Sequence, residues 1–236
     1  MLSMTLYVAC DDASDMLKNF REDREICFGE IQPERKRTMK YVITLNRQFG
    51  SLGRPIAQRV SELLKIEYYD RDIVEATSKK MNLPVSIIGE EEEKHENRFF
   101  DMQFPLGKGN TEIRDQIFKN QQRIIMELAD KSSCIIVGRC ADYVLKNNEN
   151  VLNFFIYASY GNRVKNCIDV LNMDPEDALK TIKEVDRVRD KYHMRYAKYL
   201  PNDLNHINVM LDSGTLGVEG TARTIVGIVK EKFNLD

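Results

Sequence analysis

From Lys40 onward, five short runs rich in β-branched and aromatic residues alternate with segments in which apolar residues recur every three or four positions. The runs are Tyr41 to Leu45, Ile66 to Tyr69, Cys134 to Val137, Leu152 to Tyr157 and Ile207 to Leu211. Strands separated by helices need crossover connections, so the pattern predicts an α/β fold with a five-stranded parallel sheet flanked by helices. Two of those helices carry clear stripes. Ile56, Ala57, Val60, Leu63 and Leu64 form one, and Val218, Ala222, Ile225, Val226, Val229 and Phe233 form the other.

More than sixty residues separate the second run from the third, far beyond what one crossover helix requires, so an insert is expected there. Asp72 to Lys80, Val85 to Lys94 and Thr111 to Asp130 read as helices, and Phe99 to Asn110, with Pro105, Gly107 and Gly109, reads as a mobile loop. Residues 1–39 hold few periodic apolar positions and read as an N-terminal extension, helical or poorly ordered. The start carries acids and no basic segment before an apolar run, so it does not resemble a secretory signal.

The 236 residues are 42% hydrophobic and 31% charged, and no stretch approaches the ~18 apolar residues of a membrane span. Five cysteines form no CxxC pair, which fits reduced thiols in a cytoplasmic protein, and the lack of a long apolar stretch leads us to expect no membrane binding. A net charge of −2 argues against general nucleic-acid binding, which rests on a basic excess.

Chemistry is expected where strands end. After the first strand come Arg47, Gln48, Phe49, Gly50, Ser51, Leu52, Gly53 and Arg54, with a helix beginning near Pro55. Strand, glycine-containing loop and helix make an anion site, because loop amides and the positive helix end both face the ligand. The alternative is an ordinary βα turn. The G-x-x-x-x-G-K-[ST] pattern is absent: Arg54 stands where lysine would be, and Pro55 where a magnesium-binding hydroxyl would be. Arg54 would hold a β- or γ-phosphate as a planar fork, and Ser51 is the nearest hydroxyl for a metal.

Asp70 follows the second strand on the same rim, where it suits either a ligand or a helix N-cap. Gly138 and Arg139 follow the third, placing a guanidinium where a phosphate would bind, or where a salt bridge would form. Cys140 has no clear histidine partner and reads as a packed thiol. Along the helix opened by Asp174 and Pro175, Lys180, Lys183, Arg187, Lys191, Arg195 and Lys198 make a charged stripe. The opposite stripe, Ile182, Val185, Arg189, Tyr192 and Tyr196, places a charge on an apolar face. That charge needs a phosphate or a carboxylate such as Asp186 or Asp212. Arg187 and Arg189 lie on opposite sides of a regular helix, so both reach one ligand only if the helix breaks or closes as a lid.

In their order and spacing, Arg47 to Arg54, Tyr69–Asp70, Gly138–Arg139, the arginine-rich helix and Leu211-Asp212-Ser213 resemble the cytidylate kinase-like family of nucleoside monophosphate kinases. The resemblance covers residues 40–236. It implies a P-loop fold with a monophosphate-binding insert at about 71–130 and a lid helix at about 175–200. It also implies ATP in the phosphate loop, with magnesium between the phosphates and small-molecule nucleotides as the ligands. Residues 47 and 50–54 would bind ATP; Asp70, Gly138 and Arg139 would bind the monophosphate; Arg54, Arg139, Arg187, Arg189 and Arg195 would neutralise the transferred phosphoryl. The acceptor favoured by resemblance is CMP or dCMP. Gly53-Arg54-Pro55 and Cys140 depart from the family pattern, which keeps a second expectation open, a catalytically silent nucleotide-binding module. No protein partner is legible.

Overall fold

The computed structural model describes residues 39–82 and 111–235. The expected helix at Val85 to Lys94, the loop at Phe99 to Asn110 and the extension through residue 38 lie outside the described residues. Within them the chain runs β1 (Val42–Arg47), α1 (Gly53–Leu64), β2 (Glu67–Tyr69), α2 (Asp72–Met81), α3 (Thr111–Lys131), β3 (Cys134–Val137) and α4 (Ala141–Val144). It continues through β4 (Val151–Tyr157), α5 (Tyr160–Asp169), α6 (Pro175–Tyr196), β5 (Val209–Asp212) and α7 (Ser213–Phe233). All five strands form one parallel sheet in the order β2-β3-β1-β4-β5.

Each strand sends alternate side chains to opposite faces, and both faces are buried, which is why the runs are apolar throughout rather than alternating. On one face Ile43, Leu45, Ile135, Val137, Phe154 and Ile156 pack against α1 and α7, through Ile56, Ala57 and Val60 and through Ala222, Ile225, Val229 and Phe233. On the other, Val42, Cys134 and Ile136 meet Ile73 of α2 and Ile124, Ile125 and Ala129 of α3. Both striped helices therefore sit on the same face of the sheet. The last strand lies one to two residues beyond its expected run, because Asp212 ends it and caps α7, its carboxylate accepting from the Gly214 amide at 2.8 Å.

The strand order fixes where a ligand can bind. The chain builds outward from central β1 to β2, returns to β3, then crosses β1 to reach β4. At this switch the loops beyond the carboxyl ends of β1 and β3 diverge and leave a crevice, the usual ligand position in open α/β sheets. A third cluster, with Phe49, Cys167, Met173, Ala178, Ile182 and Val185, anchors the loop after β1 to α5 and α6. Among the described residues no helix is long and apolar enough to cross a membrane.

Candidate active site

The loop after β1 folds with its carbonyls turned outward, and separate elements hold them. Arg47 O accepts from Arg189 Nη1 of α6 at 3.0 Å, Phe49 O from Arg163 Nε of α5 at 2.8 Å, and Gly50 O from Asn166 Nδ2 of α5 at 2.8 Å. Ser51 O accepts from the Ser213 hydroxyl of α7 at 2.7 Å. The Phe49 amide donates to Asp186 Oδ1 at 2.8 Å, and Arg163 clamps the other oxygen of the same carboxylate. One α6 side chain thus fixes both the loop and the α5 arginine beneath it.

With its carbonyls committed, the loop leaves the amides of Gly50, Leu52, Gly53 and Arg54 without an acceptor within the described residues. Leu52 adopts a left-handed conformation (φ 57°) as the residue before α1, so the helix starts at Gly53, two residues before the expected start. Pro55 is still in the first turn, where no intrahelical bond is lost. Gly50 is required by its φ of 77° and by space, since a Cβ there would lie 2.7 Å from Arg163 O. The cleft over the loop is lined by Arg47, Arg54, Pro55, Arg189 and Leu171 together with the loop residues.

Beside it lies a charged cluster. Arg54 meets one oxygen of Asp70 through Nε and Nη2, both at 2.6 Å, and Tyr68 OH donates to the same oxygen at 3.2 Å. Only Nε is aligned for a hydrogen bond, so Nη2 is buried with no directed partner despite its short distance. Burial pushes the Asp70 carboxyl up, but the guanidinium charges of Arg47, Arg54 and Arg139 outweigh it and hold the group below the usual carboxylate range. Asp70 therefore does not cap α2, whose first position is preceded by Arg71 with no side-chain cap. Burial lowers Arg47 and Arg189 from the usual arginine range, and neighbouring arginines add to the effect, as expected for crowded positive charge.

Gly138, Arg139 and Cys140 take three successive left-handed conformations (φ 72°, 58° and 53°). This bend carries the chain away from the end of β3 and brings Arg139 beside Asp70. Gly138 suits its φ of 72°, and a Cβ there would sit 2.5 Å from the Arg47 Nη1 tip, which would have to move aside. Cys140 is 1% exposed and burial pushes its thiol well up, so it is a packed, protonated thiol.

Of the residues expected to act together, Arg47, Gly50, Leu52, Gly53, Arg54, Asp70, Gly138, Arg139 and Arg189 converge on this rim. Three do not. Ser51 is fully buried, and its hydroxyl bonds to Gln48 O at 2.9 Å and Ile156 O at 3.2 Å, so the group expected to meet magnesium turns into the sheet. Arg187 is exposed on the far side of α6, which is unbroken from Pro175 to Tyr196 and so turns it to a different side from Arg189. Arg195 is exposed and paired with Asp115 of α3 at 2.9 Å. Magnesium, implied by the resemblance, finds no carboxylate or hydroxyl side chain free for it among the described residues lining the cleft: proline occupies the hydroxyl position, Ser51 is buried, and Asp70 is committed to Arg54. Phosphates, by contrast, fit the free loop amides and the arginines that line the cleft.

The sequence reading missed a buried network supporting the site. Asp142, 4% exposed, accepts from Asn46 Nδ2 at 3.1 Å, from Tyr199 OH at 2.9 Å and from His193 Nε2 at 3.0 Å. His193 Nδ1 faces Tyr199 O at 2.8 Å. Both ring nitrogens face acceptors, the arrangement of an imidazolium. Burial lowers the His193 pKa, but its bond to Asp142 and that carboxylate's charge more than offset this and leave it raised. A raised folded-state pKa means the folded chain holds the proton more tightly. The stabilisation is complete below about pH 6.5 and is lost as pH rises through the raised value. The stability advantage of the parent chain over His193→Gln is therefore expected to shrink as pH rises above about 6.5 in thermal unfolding; an advantage that grows would rule out the charged pair.

Comparison with known proteins agrees with this architecture. An uncharacterized protein from Eubacterium ventriosum ATCC 27560 shares the fold at a TM-score of 0.62 and 22% identity, over 81% of this chain and 99% of that one. Shikimate kinase from Acinetobacter baumannii in complex with shikimate aligns over 82% of this chain and 95% of its own, at 11% identity and a TM-score of 0.49. No curated protein matches. The sequence model of the cytidylate kinase-like family matches residues 42–215, from β1 through the phosphate loop and the β3 Gly-Arg to the opening of α7. Over that span, five parallel strands, a phosphate loop and an arginine-lined rim occur together, and the chain belongs to the cytidylate kinase-like family.

Proposed function

We propose that this protein is a phosphotransferase that holds the phosphates of ATP on the loop Arg47–Arg54 and passes the γ-phosphoryl to a small acceptor on the Asp70–Arg139 side. The observation that carries this reading is the loop itself, whose unpaired amides converge with Arg54 and Arg189 on one cleft. Phosphoryl transfer asks a protein mainly to position two oxygens in line and to neutralise charge on the group between them. Fixed amides and guanidinium groups do both. ATP would lose its terminal phosphoryl to the acceptor oxygen and leave as ADP, and the acceptor would leave with one phosphate more. Family membership favours a nucleoside monophosphate, CMP or dCMP, as that acceptor.

Arg54→Ala removes charged hydrogen bonds worth about 1.5–3 kcal/mol and is expected to weaken ATP binding about tenfold to a hundredfold, with turnover falling alongside. Arg139→Ala is expected to raise the KM for the acceptor and leave ATP affinity near the parent value. Calorimetric titration and steady-state assay of both variants test the assignment, and small, equal effects of the two would sink it. Pro55 and the buried Ser51 hydroxyl favour a second reading, a nucleotide-binding regulatory module of the same fold. A thermal-shift panel of ATP, ADP and four ribonucleoside monophosphates separates the two. Stabilisation by ATP with one monophosphate beyond either alone supports transfer, and stabilisation by a single nucleotide only supports the module.

A further inference from the structure

The described lining of the cleft contains three arginines, Arg47, Arg54 and Arg189, and no carboxylate or hydroxyl side chain. Two acids beside the lining are already engaged: Asp70 with Arg54 and Tyr68, Asp186 with Arg163 and the Phe49 amide. A divalent cation seated between bound phosphates would meet guanidinium groups at close range and, among the described lining residues, no carboxylate or hydroxyl side chain to coordinate it, since Mg2+ seeks hard oxygen ligands. The Arg47 and Arg54 charges disfavour that of Arg189 beside them, a cost relieved by an anion of several charges in the cleft that the three line. Guanidinium groups are also suited to bridge adjacent phosphate oxygens in two parallel bonds, the geometric service a metal ion gives elsewhere.

We propose that this cleft binds the polyphosphate of its nucleotide as the metal-free anion, with guanidinium groups in the place of a divalent cation. The inference rests on the nucleotide reading above, and its test separates the two. The unaltered full chain is titrated calorimetrically with ATP and with inorganic tripolyphosphate, each in excess magnesium and in EDTA at one ionic strength. The expected result is an ATP dissociation constant in EDTA within about threefold of that in magnesium, or tighter, with tripolyphosphate behaving alike, a difference below one tenfold step of affinity. ATP binding weakened about tenfold or more by EDTA overturns the inference and leaves the nucleotide reading standing. Metal-independent binding of tripolyphosphate without binding of ATP supports the guanidinium site and removes the nucleotide reading. Binding of neither anion in either buffer overturns both.

Discussion

Replacing Asp142 by alanine is expected to cost about 3–5 kcal/mol of folding stability, because it strips the partner from a buried imidazolium. The carboxylate accepts hydrogen bonds from β1, α6 and the segment after α6, so its loss also orphans Asn46 Nδ2 and Tyr199 OH inside the protein. For a chain of this size that loss lowers the unfolding midpoint by roughly 6–20 °C. Asp142→Asn keeps the shape but offers one acceptor oxygen in place of two, and should fall between alanine and the parent. Urea unfolding of the three proteins reads the order directly. A loss under about 1 kcal/mol for alanine would mean that the histidine is neutral and the network weak.

The second large effect concerns binding rather than stability. Gly50→Ala forces a Cβ to within 2.7 Å of the Arg163 carbonyl and 3.0 Å of Cys167 Sγ, at a φ of 77°. The carbonyl belongs to a helix that cannot yield cheaply, and the left-handed conformation itself costs about 1–2 kcal/mol for a residue with a side chain. The loop must therefore shift, and its amides lose their common focus. Nucleotide affinity is expected to fall about a hundredfold or more, the equivalent of two lost charged hydrogen bonds, while the variant remains folded. Calorimetry paired with circular dichroism distinguishes the two losses. Binding within threefold of the parent would show that phosphates bind elsewhere.

The sheet was legible because its strands are buried on both faces and its helices on one. Runs such as Cys134 to Val137 and stripes such as Ile56-Ala57-Val60 carry those two periods in plain sequence. Boundaries moved where a backbone choice decided them: Leu52 in a left-handed turn started α1 at Gly53 rather than near Pro55. The rim was legible too, since any residue just past a parallel strand reaches it, and Asp70 and Arg139 did. What stayed hidden were partners chosen across the fold. Nothing local in the sequence says that Ser51 would turn its hydroxyl inward to Ile156, or that Arg163 would clamp Asp186. Asp186 had been one of two carboxylates proposed to answer Arg189; Asp212 instead caps α7. His193 and Asp142 sit 51 residues apart, and no periodicity links them.

The outward-tied carbonyls of the phosphate loop have a kinetic meaning. Arg189, Arg163, Asn166 and Ser213 hold the loop in its receptive shape whether or not an anion is there. The entropy of ordering that segment is thus spent when the chain folds, and an arriving phosphate does not have to supply it. Encounter then depends on diffusion and on the attraction of clustered positive charge, so salt acts chiefly on how fast the complex forms. How long it lasts is set by the amides and guanidinium groups that must let go one after another.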